Sequence, residues 1–173
     1  MKVVLGAVLS ITVFCSVAAF GQEAGGAAMA ACGPKGDHVK VNPDTGRDPS
    51  AQPEPGKALV YVIEDDGVMN NILGAGITLR AGLDGAWVGA VNHHNPFLVF
   101  SVTPGERHLC VNWQSGIESR SRATGLAHIE AQPNRVYYFR VRQWDTRSAV
   151  YIDFDPIDSD MGTFLLASLS AKK

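Results

Sequence analysis

The sequence predicts an all-β fold: a single antiparallel β-sandwich with an extended N-terminal arm and a short C-terminal helix. Between Lys57 and Asp155, segments rich in β-branched and aromatic residues are separated by turn signals about every 8 to 12 residues. Several segments alternate apolar and polar residues, which is typical of strands with one buried face. Prolines between residues 43 and 55 exclude a central strand there, because proline has no amide hydrogen to donate. We therefore assign residues 57–173 to the sandwich domain and residues 22–56 to a Gly/Ala/Pro-rich arm or linker.

Residues 1–21 have the pattern of a secretory signal peptide. Lys2 precedes an apolar run that extends to Phe20, and Ala19 and Gly21 are the small residues that cleavage requires. The run is also just long enough to act as a membrane anchor if it is retained. Small and polar residues follow it directly, which favours cleavage. The sequence thus predicts a secreted or periplasmic protein that contacts the membrane only through the signal peptide, if this is uncleaved.

The strand pattern also predicts turns and a core. Residues 58–65 (ALVYVIED) are apolar on both faces, which favours a central strand, and residues 38–42 (HVKVN) could add an edge strand. Asp84-Gly85 predicts a two-residue hairpin, and Pro104-Gly105 and Pro133-Asn134 predict tight turns between further strands. We expect one sandwich core, with these side chains mostly buried: Leu59, Tyr61, Ile63, Val99, Leu109, Val111, Phe139, Val141 and Ile152.

The C-terminal segment predicts a short helix. Asp158 or Ser159 could cap its N-terminus, Asp160 lies in its first turn, and Lys172 and Lys173 lie near its end. The alternative is one more strand over residues 163–169 (TFLLASL).

Cys110 raises a separate question, because it alternates with the apolar residues Leu109 and Val111 and so falls on the polar face of its strand. Signal cleavage would remove Cys15 and leave Cys32 and Cys110. An even pair of cysteines in an oxidising compartment normally forms a disulfide. This disulfide would hold the arm against the outside of the sheet. Two free thiols with a redox or metal role are the alternative.

Several stretches together resemble bacterial exported proteins of the family catalogued as domain of unknown function 2846. They are PEPGKALVYVIED, LDGAWVGA, FSVTPGERHLCVNWQS and VYYFRVR, with ACGP in the arm and DSDMGTFLLAS near the end. The resemblance spans Cys32 to about Ser168. It implies a compact β-sandwich in the style of transthyretin-like or surface-layer modules. It implies no activity and transfers no catalytic or binding residue.

Composition and motifs disfavour several kinds of function. The net charge of −2 gives no basic surface for nucleic acid. The five histidines and the acids from Asp153 to Asp160 match no zinc or calcium spacing, so we expect no metal and no cofactor. There is no Gly-x-Ser-x-Gly elbow, so a hydrolase is the weakest hypothesis. We predict a non-enzymatic protein.

The aromatic residues suggest where a partner could bind. Trp144 shares strand parity with Arg140 and Arg142, and Trp87 follows a turn, so these four residues form the predicted contact patch. The first hypothesis is a structural or interaction module of the bacterial envelope. The alternative is a module that binds carbohydrate or another envelope polymer through exposed tryptophans, since aromatic rings offer apolar area with a polar handle. An envelope protein or polysaccharide is the expected partner.

Overall fold

The computed structural model describes residues 30–42, 48–65, 77–114, 123–145 and 150–171. The predicted signal peptide, Met1 to Gly21, and the terminal lysines lie outside these ranges. The described residues form eight strands and one helix: β1 (Ala58–Glu64), β2 (Thr78–Leu83), β3 (Ala86–Asn92), β4 (Phe97–Val102), β5 (Gly105–Gln114), β6 (Thr124–Ala131), β7 (Val136–Asp145), β8 (Val150–Ile157) and α1 (Ser159–Ser170).

The strands form two four-stranded sheets that pack as a sandwich, as the sequence predicts. Sheet A has the strand order β4-β1-β7-β8, and sheet B has the order β3-β2-β5-β6. Neighbouring strands are antiparallel with one exception among those described, since β1 and β7 are parallel. The C-terminal helix packs on sheet A.

The apolar run of β1 explains its place in the sheet. Every residue from Ala58 to Glu64 is buried, and the strand pairs on one side with β4 and on the other with β7. A strand that is covered on both faces has no solvent side, so its sequence shows no alternation. The prediction of a central strand over this segment is confirmed.

The three predicted turns divide into two kinds. Asp84 and Gly85 both have positive φ angles (48° and 86°), and they connect β2 to β3 as the predicted two-residue hairpin. Pro104-Gly105 instead leads from β4 in sheet A to β5 in sheet B, and Pro133-Asn134 leads from β6 in sheet B to β7 in sheet A. A turn signal marks where the chain reverses, but it does not specify whether the next strand pairs with the previous one or packs over it.

The buried side chains form two clusters, whereas the sequence predicts one core. The inter-sheet cluster includes Leu109, Val111, Phe139 and Val141. The second cluster lies on the outer face of sheet A beneath α1, and it contains Leu59, Tyr61, Ile63 and Val99, which we expected between the sheets. All these residues are buried as predicted. Ile152 is only partly buried against the inter-sheet cluster.

The C-terminal segment is a helix, which excludes the alternative strand. Asp158 is the N-cap, and its carboxylate accepts a hydrogen bond from the Met161 amide (2.8 Å). Leu166 anchors the helix in the cluster beneath it. Gly162 faces the ring of Tyr138 so closely that a Cβ atom would overlap it. The helix therefore covers the part of sheet A near Tyr138.

Residues 30–42 of the arm lie along the outer face of sheet B and form no strand over residues 38–42, contrary to the sequence prediction. Further along the arm, Asp48 and Ala51 instead contact the outer face of sheet A. The side chain of Gln114 takes the role of a neighbouring strand: its Oε1 accepts from the Val39 amide (2.7 Å), and its Nε2 donates to the Val39 carbonyl (3.1 Å). Because a side chain supplies both bonds, the backbone is satisfied without joining the sheet.

Candidate functional site

A disulfide fixes the arm to sheet B. Cys32 and Cys110 are bonded with their Cα atoms 5.2 Å apart, which lies within the usual range. Cys110 is on the outer face of β5, as its alternation with Leu109 and Val111 predicts. It is nevertheless only 1% exposed, because the arm covers this part of the sheet. The pairing expected from the sequence is therefore present.

Trp87 forms part of the contact between the arm and the sheet. Its Nε1 donates to the Pro34 carbonyl (3.0 Å), and the guanidinium of Arg80 lies 4.2 Å from its ring centroid. Gly33 lies against the ring, where a Cβ atom would come within 2.5 Å of Trp87 Cδ1. Trp87 is thus in sheet B, whereas Trp144 is in sheet A, so the structure does not place the four predicted patch residues together.

Arg80 extends this contact into a hydrogen-bond network. Its Nη1 donates to the Asp37 carbonyl (2.5 Å), and its Nη2 donates to Asn112 Oδ1. Arg80 and Asn112 are both buried although they lie on the outer face. Desolvation lowers the pKa of the Arg80 guanidinium from its usual value. These buried polar groups are part of the arm's attachment.

A cleft of about 530 Å³ lies between residues 37–42 of the arm and strand β3. The arm contributes its polar lining, and β3 with Leu98 contributes the apolar lining. Its volume lies in the range of small-molecule sites. No sequence motif indicated it, because its two walls come from segments separated by more than 40 residues.

Trp144, Arg142 and Arg140 do lie together, on the part of sheet A that α1 leaves uncovered. The register of β7 with β8 places Tyr151 opposite Trp144, Asp153 opposite Arg142, and Asp155 opposite Arg140. We call these six residues the Trp144 ladder. Successive rows are roughly 7 Å apart along the strands. Trp144 is 48% exposed and Tyr151 is 57% exposed.

Polar contacts orient the Trp144 ring. Its Nε1 donates to Asp153 Oδ2 (2.6 Å), and the Arg142 guanidinium lies 5.7 Å from its centroid. Arg142 Nη2 is 3.8 Å from Asp153 Oδ2 and 3.7 Å from Asp155 Oδ2. These two separations exceed hydrogen-bond length, so the ion pairs leave hydrogen-bonding capacity on both partners. Arg140 is similarly placed, 3.8 Å from Asp65.

Sequence reasoning missed the half of the ladder that β8 supplies. Alternation along VYIDFDPI puts Tyr151, Asp153 and Asp155 on one face, and this signal was readable. The register that brings this face beside β7 was not readable, because it depends on how far each strand extends around the turn.

Two further observations concern the described ranges alone. No group of three or more His, Cys, Asp or Glu side chains there is arranged to hold a metal ion. Among the helices in these ranges, none has the length and apolar content to cross a bilayer.

The fold and its bonded arm define a disulfide-linked β-sandwich protein. No protein-family model matches the sequence, and no curated protein sequence is similar to it. Among solved structures, it is similar to the NMR structure of a protein from Eubacterium rectale, with 11% identity and a TM-score of 0.36. That likeness covers 61% of this chain and 94% of the other. Membership of the domain of unknown function 2846 family stays a prediction.

Proposed function

We propose that this protein is an exported, non-enzymatic interaction module of the bacterial envelope that binds a partner through the Trp144 ladder. The observation that carries the proposal is the exposure of Trp144 and Tyr151, which lie opposite each other on the neighbouring strands β7 and β8. Large aromatic side chains that remain in solvent beside charged groups are typical of contact surfaces. Trp113 is buried in the inter-sheet core and Trp87 holds the arm, which leaves Trp144 as the tryptophan available to a partner.

The disulfide supports the exported location. It fits an oxidising compartment, where a bond of this kind persists. Mass measurement of the protein recovered from the envelope or the medium tests this part of the proposal. We expect a chain that lacks about the first 21 residues, and a mass that includes Met1 to Gly21 would indicate a retained anchor.

Capture from the envelope fraction of the producing organism tests the interaction. The immobilised exported chain is compared with Trp144→Ala and with Phe164→Ala, a matched control because Phe164 is an exposed aromatic residue on α1. We expect the wild type and the control to retain the same envelope component and Trp144→Ala to lose it. Equal capture by all three proteins would contradict the proposed role of the ladder.

A further inference from the structure

The Trp144 ladder combines features that suit one class of ligand. Its first row is aromatic, and the next two rows contain a guanidinium opposite a carboxylate. A ligand that lies along the strands would therefore meet apolar ring surface first and then alternating donors and acceptors. The rows form part of the outer face of a sheet, so the ladder suits an extended ligand.

The charges of the ladder are already paired, either within the ladder or with Asp65 beside it. Arg142 lies between Asp153 and Asp155, and Arg140 lies beside Asp65. The two arginines and two aspartates of the ladder cancel, and Asp65 beside them adds one negative charge. There is therefore no cationic excess to attract an anionic polymer, and only one uncompensated negative charge to attract a cationic one. Electrostatic recognition of a strongly charged partner is therefore disfavoured.

The same ion pairs leave polar atoms available to an uncharged ligand. The separations of 3.7 to 3.8 Å between charged groups are too long for hydrogen bonds. The carboxylates of Asp153 and Asp155 are partly exposed, at 43% and 52%. Each hydroxyl group of a glycan can both donate to these carboxylates and accept from the arginines, whereas only some peptide side chains carry a group that does both.

We propose that the Trp144 ladder binds an uncharged glycan chain, with one sugar ring against Trp144 and Tyr151 and the hydroxyls of the following units bonded by Arg142, Asp153 and Asp155. The apolar C–H face of a pyranose ring covers indole and phenol surface, while its hydroxyl edge points to the polar rows. This inference rests on the proposed function, because it names the ligand class of the same surface.

Titration with defined hexasaccharides tests the inference. The probes are β-1,4-linked glucose, β-1,4-linked N-acetylglucosamine and α-1,4-linked glucose, with a galacturonic acid hexamer as the anionic comparison. Binding is followed by tryptophan fluorescence and by amide chemical shifts. We expect saturable binding of at least one neutral probe, at least tenfold weaker in Trp144→Ala and in Tyr151→Ala, and unchanged in Phe164→Ala. The anionic hexamer should bind more weakly than that neutral probe.

Three results would overturn the inference: no neutral probe binds, Trp144→Ala binds as tightly as the wild type, or the anionic hexamer binds best. Thermal unfolding of each variant checks that it is folded. The envelope capture experiment separates this inference from the proposed function. If capture depends on Trp144 but is abolished by protease and survives glycan digestion, the partner is a protein: the glycan inference fails and the interaction module stands.

Discussion

Alternation along β5 gives two adjacent residues different roles. Leu109 points between the sheets and is buried in the inter-sheet core, whereas Cys110 points outward and is covered by the arm. Sequence parity predicted both directions, because side chains alternate strictly along a strand. The burial of Cys110 was not predictable from parity, since it depends on a segment that is far away in sequence.

Leu109→Ala tests the inter-sheet core. The side chain is 1% exposed, so its truncation leaves a cavity and should lower the free energy of unfolding by about 2–5 kcal/mol. Leu126→Ala is the control, because Leu126 lies on the exposed face of β6 and should cost much less. Urea denaturation measures both. Equal losses would mean that Leu109 is not enclosed.

Tyr61 gives the fold a dependence on alkaline pH. It is buried against the Tyr138 ring, and its hydroxyl donates to the Asp48 carbonyl (3.1 Å). Burial, with a smaller contribution from Tyr138, raises the pKa of Tyr61 to about 12. In the unfolded chain the phenol ionises near the ordinary tyrosine pKa of 10.0. The free energy by which the neutral phenol of Tyr61 stabilises the folded state is therefore complete below pH 10. It is lost as the pH rises toward 12.

Denaturation at pH 8 and pH 11 tests this dependence. We expect the free energy of unfolding to fall between these values in the wild type and to fall less in Tyr61→Phe, which has no phenol to ionise. Tyr151→Phe is the control, because Tyr151 is exposed, and it should behave as the wild type. The same fall in all three proteins would exclude Tyr61 as a cause.

Individual strands, turns and the helix were more predictable from the sequence than the elements that they pair with or pack against. The central position of β1, the hairpin at Asp84-Gly85 and the cap of α1 at Asp158 each follow from residues within a few positions of one another. The second core beneath α1 does not, because Leu59 and Tyr61 are as apolar as residues between the sheets. The apolar run of β1 predicts that both of its faces are buried, but it does not indicate that α1 covers the face with Leu59 and Tyr61.

Gly162→Ala tests how closely α1 packs on sheet A. Alanine normally stabilises a helix interior relative to glycine by about 1 kcal/mol. Here the added Cβ would overlap the Tyr138 ring, so we expect a loss of about 1–3 kcal/mol instead. Thermal unfolding shows whether Gly162→Ala is less or more stable than the wild type. Thr163→Ala, on the exposed side of the helix, should change stability little, and a stabilised Gly162→Ala would show that the helix is not so close.

At the scale of the whole molecule, the sequence predicted the sandwich, the helix and the disulfide, but not the sheet order. Strand pattern and turn chemistry are local, whereas the pairing of β1 with β7 joins Leu59 to Val136. The Trp144 ladder shows the same limit. The shared face of its β7 residues was predicted from alternation along the strand. The placement of its β8 residues beside them depends on the register between the two strands, which no local signal determines.

Reduction of Cys32–Cys110 should loosen the arm before the sandwich. The bond spans 78 residues, so chain-entropy theory gives a stabilisation on the order of 4 kcal/mol. We expect a reductant to lower the melting temperature and to let protease cut within residues 30–42 first, while circular dichroism at room temperature stays unchanged. Cys32→Ser should resemble the reduced protein and should not respond to reductant. An arm equally protected after reduction would show that the contacts of Trp87 and Arg80 suffice to hold it.

The central position of β1 has a consequence for biogenesis. Of the described strands, β1 leaves the ribosome first, but its partners β4 and β7 begin at Phe97 and Val136. Until they arrive, ALVYVIE is a β-prone segment with no proline and no charge before Glu64, the composition of an aggregation nucleus. Before β4 and β7 have been synthesised, aggregation therefore competes with folding at this segment.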